Sequence, residues 1–169
     1  MGGTPSFWSG SGMEKNITLL NLEHSDNETS IKTAIGTACN MNMYDDGFFD
    51  IVFSNSVIEH VGDFQKQYEM AKEVARVGNK YWIQTPNKHF PLEVHFCFPF
   101  LQYLPLKYQK FIVCYWPFSF AKMLGLNPIE ELKNLRLISY SEMKTLFPES
   151  TILREKFLGF TKSFIAFKT

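Results

Sequence analysis

Phe49-Asp50-Ile51-Val52-Phe53-Ser54-Asn55-Ser56-Val57-Ile58-Glu59-His60-Val61 is the stretch on which the reading of this chain turns. Its first part, Ile51-Val52-Phe53, is a short apolar run of β-branched and aromatic residues. Such a run predicts a strand buried on both faces. The chain then breaks into small polar residues at Ser54-Asn55-Ser56 and resumes as Val57-Ile58-Glu59-His60-Val61. A buried strand ending in a polar turn is where open α/β sheets hold ligands, outside the carboxyl ends of their strands.

Downstream, Gly62-Asp63 reads as a turn and helix N-cap, because an Asp side chain satisfies free N–H groups of a first turn. Phe64, Tyr68, Ala71, Val74 and Ala75 recur at helical spacing, with Met70 and Val77 flanking the stripe, and Gly78 stops the helix as a C′ residue. Lys80 to Gln84 returns as a strand that Pro86 ends. Upstream, Ile17 to Glu23 is a strand ending in an acid. Ser25 to Ser30 is a polar loop, and Ile31 to Ala38 is a short third strand passing through Gly36. Asp45-Asp46-Gly47 is the turn into the central stretch.

The second half opens with an aromatic-rich insert at about 88–124. Pro91, Pro99, Pro105 and Pro117 cut it into short pieces. Three readings stand for it: a lid or wall for an apolar substrate, a plain cover for the sheet, or a segment dipping into a membrane surface with Lys107, Lys110 and Lys122 at its edges. Short helices follow at Asn127-Pro128 to Leu132 and at Ser141 to Phe147. The tail alternates about Leu158-Gly159, which predicts an antiparallel hairpin.

The 169 residues make one domain on size, residues 1–169, and suffice for a real core. Hydrophobic residues at 45% and charged residues at 20% fit a globular chain rather than a disordered one. Seventeen basic residues balance seventeen acidic ones, so no basic field recruits nucleic acid. Cys39, Cys97 and Cys114 lack CxxC spacing and read as free thiols in a reducing compartment. With no signal peptide and no uncharged run of spanning length, the expectation is a soluble cytoplasmic protein. Acids and histidines show no clustered ligand spacing along the chain, so no metal is expected.

Asp50 to Val61 resembles the fourth-strand motif of class I S-adenosylmethionine-dependent methyltransferases, in the broad methyltransferase-11-like group. Glu73-Val74-Ala75-Arg76-Val77-Gly78 and Tyr81-Trp82-Ile83-Gln84-Thr85-Pro86-Asn87 resemble that family's next helix and fifth strand. Gly2-Gly3-Thr4-Pro5 resembles the tail of its glycine-rich loop. The resemblance implies an α/β fold with a Rossmann-like, mostly parallel sheet and a C-terminal antiparallel hairpin. It also implies that the first, central strand is missing. Met1 stands where that strand would end, so the expectation is N-terminal truncation within the glycine-rich loop rather than a Gly/Ser-rich leader.

The implied cofactor is S-adenosylmethionine, and the implied reaction is methyl transfer to a small acceptor, which the aromatic insert suggests is apolar or lipid-linked. By the same resemblance Gly2, Gly3 and Thr4 line the methionine end, and Ser54, Asn55 and Ser56 face the methionine and sulfonium. Glu23 would hold the ribose, since a strand-end acid accepts both ribose hydroxyls, with Asn21 as its competitor. Thr37 and Ala38 would meet the adenine. Thr37 departs from the family's Asp there and offers a hydroxyl in place of a charge-assisted bond. For an oxygen or nitrogen acceptor, His60 and His95 are the candidate bases. Glu59 either pairs with His60 or faces solvent. The competing readings are a truncated, inactive binding module and another nucleotide-binding Rossmann protein. The latter is disfavoured by the lack of a complete GxGxxG. A lost central strand would also leave exposed sheet edges through which copies could associate.

Overall fold

A computed structural model describes residues 1–23 and 31–169. The polar loop expected at Ser25 to Ser30 lies outside the described residues. A short helix α1 (Pro5–Trp8) precedes a parallel two-stranded ribbon, β1 (Thr18–Asn21) and β2 (Lys32–Ile35). The central stretch forms β3 (Phe49–Asn55), a 3₁₀ turn at Ile58–His60, helix α2 (Phe64–Val77) and strand β4 (Gly78–Pro86). Two two-residue strands, β5 (Leu92–Glu93) and β6 (Phe98–Pro99), open the insert, which continues as α3 (Leu106–Tyr115) and α4 (Phe120–Met123). Helices α5 (Pro128–Asn134) and α6 (Tyr140–Leu146) lead to the closing hairpin of β7 (Thr151–Phe157) and β8 (Phe160–Lys168).

The main sheet runs β3-β4-β8-β7, parallel between β3 and β4 and antiparallel beyond. Its hairpin turns at Leu158-Gly159, both with positive φ, as the alternation of the tail predicts. Asp63 caps α2 by accepting from the Lys66 amide at 2.9 Å. The buried face of α2 is Gln67, Met70, Ala71, Val74 and Val77, while Tyr68 and Ala75 are exposed. The stripe is therefore rotated from the one that counting apolar residues predicts. Gln67 replaces an apolar side chain on that face because its amide bonds the Ile58 and Arg136 carbonyls at 3.1 and 2.8 Å. Gly78 is also not a left-handed stop. Its backbone is extended and passes directly into β4, and glycine is needed for space, because an added Cβ would lie 2.7 Å from Val52 and 2.9 Å from the Lys80 carbonyl.

The core under the main sheet joins Val52, Ile58, Met70, Val74, Tyr81, Ile83, Ile138, Met143, Phe147 and Phe164. A second, smaller core inside the insert is built from Phe96, Leu101, Val113 and Ala121. Despite its prolines the insert carries a ten-residue helix, α3, because Pro105 sits at its N-cap, outside the hydrogen-bonded turns. Among the described residues no helix is long and apolar enough to cross a membrane.

The strand expected to be buried on both faces is only half so. Val52 is 6% exposed and Ser54 fully buried, but Ile51 is 60% exposed. β3 bonds β4 on one edge, and among the described residues its other edge faces the ribbon without a shared ladder, so Ile51 lines the open space between them. Met1 and Gly2 bridge the two by backbone hydrogen bonds. The Met1 amine donates to the Phe53 carbonyl at 2.6 Å, and the Gly2 amide donates to the Leu20 carbonyl at 3.0 Å. Below them a cavity of about 560 Å³ opens between the middle of β1 and the middle of β3.

Candidate active site

The carboxyl ends of β1, β3 and β4 converge on one rim, and the residues singled out in the sequence fall along it in two groups. On the first side stands the glycine loop. Gly2 and Gly3 have φ of 67° and 94°, a region open mainly to glycine. An added Cβ at Gly2 would meet Val57 at 2.7 Å, so this backbone is pressed against the turn after β3. The Asn21 side chain donates to the Gly3 carbonyl at 3.1 Å, which ties the loop to the end of β1. Thr4 shares a hydrogen bond with Ser6 at 2.8 Å. Glu23, exposed, is the last described residue after β1.

Thr37 and Ala38 form a tight turn after β2. There the Thr37 hydroxyl accepts from the Cys39 amide at 3.2 Å, so part of its capacity is already spent locally. Ser54, Asn55 and Ser56 do not share one face. Ser54 points into the core, where its Oγ has no partner among the described residues. Asn55 is exposed beside the glycine loop. Ser56 adopts a positive φ of 53° and bonds the Gln84 side chain at 3.0 Å. Alternation along a strand imposes this division.

The second side gathers residues far apart in sequence. His60, in the turn after β3, and His95, in the insert, meet edge to face with ring centroids 5.0 Å apart. Glu59 neither pairs with His60 nor faces solvent. It is fully buried, its Oε2 accepts from Thr85 at 3.0 Å, and its Oε1 lies 3.9 Å from His95 Nε2. Glu93, equally buried, binds His95 Nδ1 at 2.7 Å and accepts from the Phe96 amide at 2.8 Å. Among the described residues Glu59, His60 and His95 bring one ligand atom each within 4.8 Å of one another. Linear spacing gave no hint of this cluster. Glu93-Val94-His95 was its one visible trace, a carboxylate two residues from a histidine. His89 stands apart, bonded to Tyr103 at 3.0 Å.

Burial dominates the electrostatics here. It pushes Glu59 above the usual carboxylate range against the opposing bonds of its own backbone and Thr85, and it pushes His60 down to about 4. Burial also lowers His95, but the hydrogen bond and charge of Glu93, with the charge of Glu59, outweigh it and leave His95 raised. The platform under the cluster is stiff. The Arg136 amide donates to the Glu59 carbonyl at 2.7 Å, and its guanidinium bonds Gln67 and Glu142.

Residues 12–81 match the model of the methyltransferase domain family, a segment running from ahead of β1 into β4. The matched segment is 70 of the 169 residues, and over it the chain is similar to a methyltransferase domain. Domains of that family take S-adenosylmethionine as methyl donor. A solved protein from Pyrococcus horikoshii is 12% identical, with 89% of this chain and 69% of that chain covered at a TM-score of 0.50, a likeness of fold. A S-adenosylmethionine-dependent methyltransferase from Methanosarcina mazei is 12% identical over 86% of this chain and 71% of that one, with a TM-score of 0.45. Another from Thermotoga maritima is 15% identical over 83% and 65%, with a TM-score of 0.49. No curated protein matches the sequence.

On the first side of the rim, two features would have to meet S-adenosylmethionine. The positive-φ glycine loop offers backbone close to the turn after β3, and Asn21 and Glu23 stand at the end of β1, where ribose hydroxyls would find acceptors. When bound, S-adenosylmethionine supplies an already activated methyl group, so the protein's task is positioning.

Proposed function

We propose that this chain is an S-adenosylmethionine-dependent methyltransferase acting on a small acceptor with an apolar body and a nucleophilic hydroxyl or amine. Gly2, Gly3, Thr4, Asn55 and Ser56 would hold the methionine portion of the cofactor, Glu23 the ribose, and Thr37 and Ala38 the adenine. Ser54, buried beneath, would act through the turn it supports. The acceptor's nucleophilic atom would face His95 and His60, and its apolar body the aromatic insert. One observation carries this reading: His95 is pinned through Nδ1 by Glu93, leaving Nε2 free beside His60 and next to the turn that follows β3. A positioned imidazole of this kind can hydrogen-bond an acceptor and take its proton.

The test has two stages. S-adenosylhomocysteine should raise the melting temperature saturably, since a ligand of the native state stabilises it. Labelled methyl transfer should then be screened over phenols, amines and prenyl alcohols. His95→Ala and His60→Ala should lower turnover about 10²- to 10⁴-fold with the thermal shift intact. Absence of any shift, or full turnover in both variants, would overturn the reading. The divided sheet favours one second reading, a module that binds the cofactor without turning it over. Binding without transfer to any acceptor would select it.

A further inference from the structure

We propose that Glu59, His60 and His95 form a binding site for a divalent transition-metal ion of the zinc, cobalt or manganese class, with coordination positions left open toward the acceptor. The inference takes its location from the function proposed above.

The first observation is an orphan. Glu59 is fully buried, and while Oε2 accepts from Thr85, Oε1 has no hydrogen-bond donor among the described residues. A buried carboxylate oxygen without a partner is costly, and native structures usually resolve such a group with a cation or a proton. Its Oε1 lies 3.9 Å from His95 Nε2, too far for a hydrogen bond and close enough for both atoms to share an ion.

The second observation is the support behind the histidine. His95 Nδ1 is held by Glu93 at 2.7 Å, and Glu93 is itself fixed by the Phe96 amide. Metal-ligating histidines are oriented in this way, with a carboxylate on one ring nitrogen and the metal on the other. His60 supplies a third donor, all three ligand atoms lying within 4.8 Å of one another. Zinc–donor distances of about 2.0–2.2 Å put donors roughly 3.3–3.6 Å apart in a tetrahedron, so the cluster would close by about an ångström through side-chain rotation.

Ligand chemistry decides the class of ion. Two imidazoles and one carboxylate suit zinc, cobalt, iron or manganese, whereas magnesium and calcium prefer oxygen sets. Three protein ligands leave at least one position open, the pattern of sites that bind a substrate oxygen. In the ion-bound form His95 Nε2 would be a ligand and would give up the proton-accepting role proposed above; an acceptor hydroxyl bound at an open position would then lose its proton to solvent.

The experiment is a titration of the chelator-treated full chain with Co²⁺ alone, followed by visible absorption and calorimetry. One equivalent should bind and give the intense d–d bands of a low-symmetry site. Glu59→Gln and His60→Ala should abolish those bands, and Glu93→Gln, outside the ligand set, should weaken affinity about 10- to 100-fold. Each variant is first checked for a cooperative melt and for its thermal shift with S-adenosylhomocysteine. His60→Ala removes a half-buried side chain and provides the test should Glu59→Gln not fold. No binding, or binding unchanged in His60→Ala, would overturn the inference. The second result would place the ion elsewhere, and the first would identify a proton as the neutraliser of Glu59. In either case a retained shift with S-adenosylhomocysteine would leave the methyltransferase reading standing.

Discussion

The two sides of the rim, proposed above as those for cofactor and acceptor, are built differently. The cofactor side rests on β1 and β2, four residues each, of which β2 buries no side chain fully. It joins the main sheet through the backbone of Met1 and Gly2. The acceptor side rests on β3 and β4 over α2, with Met70, Val74, Val77 and Ile83 wholly buried and the Arg136–Gln67 clamp beneath the turn at Glu59. Packing, more than hydrogen bonding, supplies most of a fold's driving force. The acceptor side is therefore held in shape by the core itself, whereas the cofactor side reaches that core mainly through Leu20 on β1 and has more to gain from its ligand.

The largest expected effect probes the stronger side. Met70→Ala should destabilise the fold by about 2–5 kcal/mol, since Met70 is fully buried in the main core and its truncation leaves a cavity there. A urea midpoint that barely moves would show that this core is looser than its burial implies.

A middle-sized effect comes from acid. Burial alone would raise Glu142, but the amide and hydroxyl of Ser139 and the Arg136 guanidinium outweigh it and hold it down to about 2. A carboxylate depressed in the folded state adds stability that is complete above its ordinary value of 4.5 and is lost as pH falls toward 2. Glu142→Gln should flatten this window of the stability-against-pH curve. An unchanged slope would remove the clamp from the account of why the acceptor side is stiff.

The smallest effect belongs to the cofactor side. Ile35, 50% exposed on β2, should tolerate alanine within about 0.5 kcal/mol. A loss of the size expected at Met70 would mean the ribbon is packed more tightly than its exposure shows, and the contrast between the two sides would fall.

Much of this was legible along the chain. The polar break after Ile51-Val52-Phe53 located the rim, Asp63 the start of α2, and Leu158-Gly159 the closing hairpin, because each depends on neighbours a few residues away. The misread features depend on distant partners. Ile51 is exposed because it lines the open space between β3 and the ribbon. Gln67 is buried because two carbonyls await it, one of them at Arg136, 69 residues on.

Local pattern and turn chemistry were enough to read the central strand, helix α2, the strand after it and the closing hairpin along the chain, and to single out His60 and His95 as candidates. Only the tertiary structure decided that Glu59 is buried against His95 and that Glu93 stands behind it. The first of these joins the turn after β3 to a histidine 36 residues on, and no spacing along one chain encodes a distance across it.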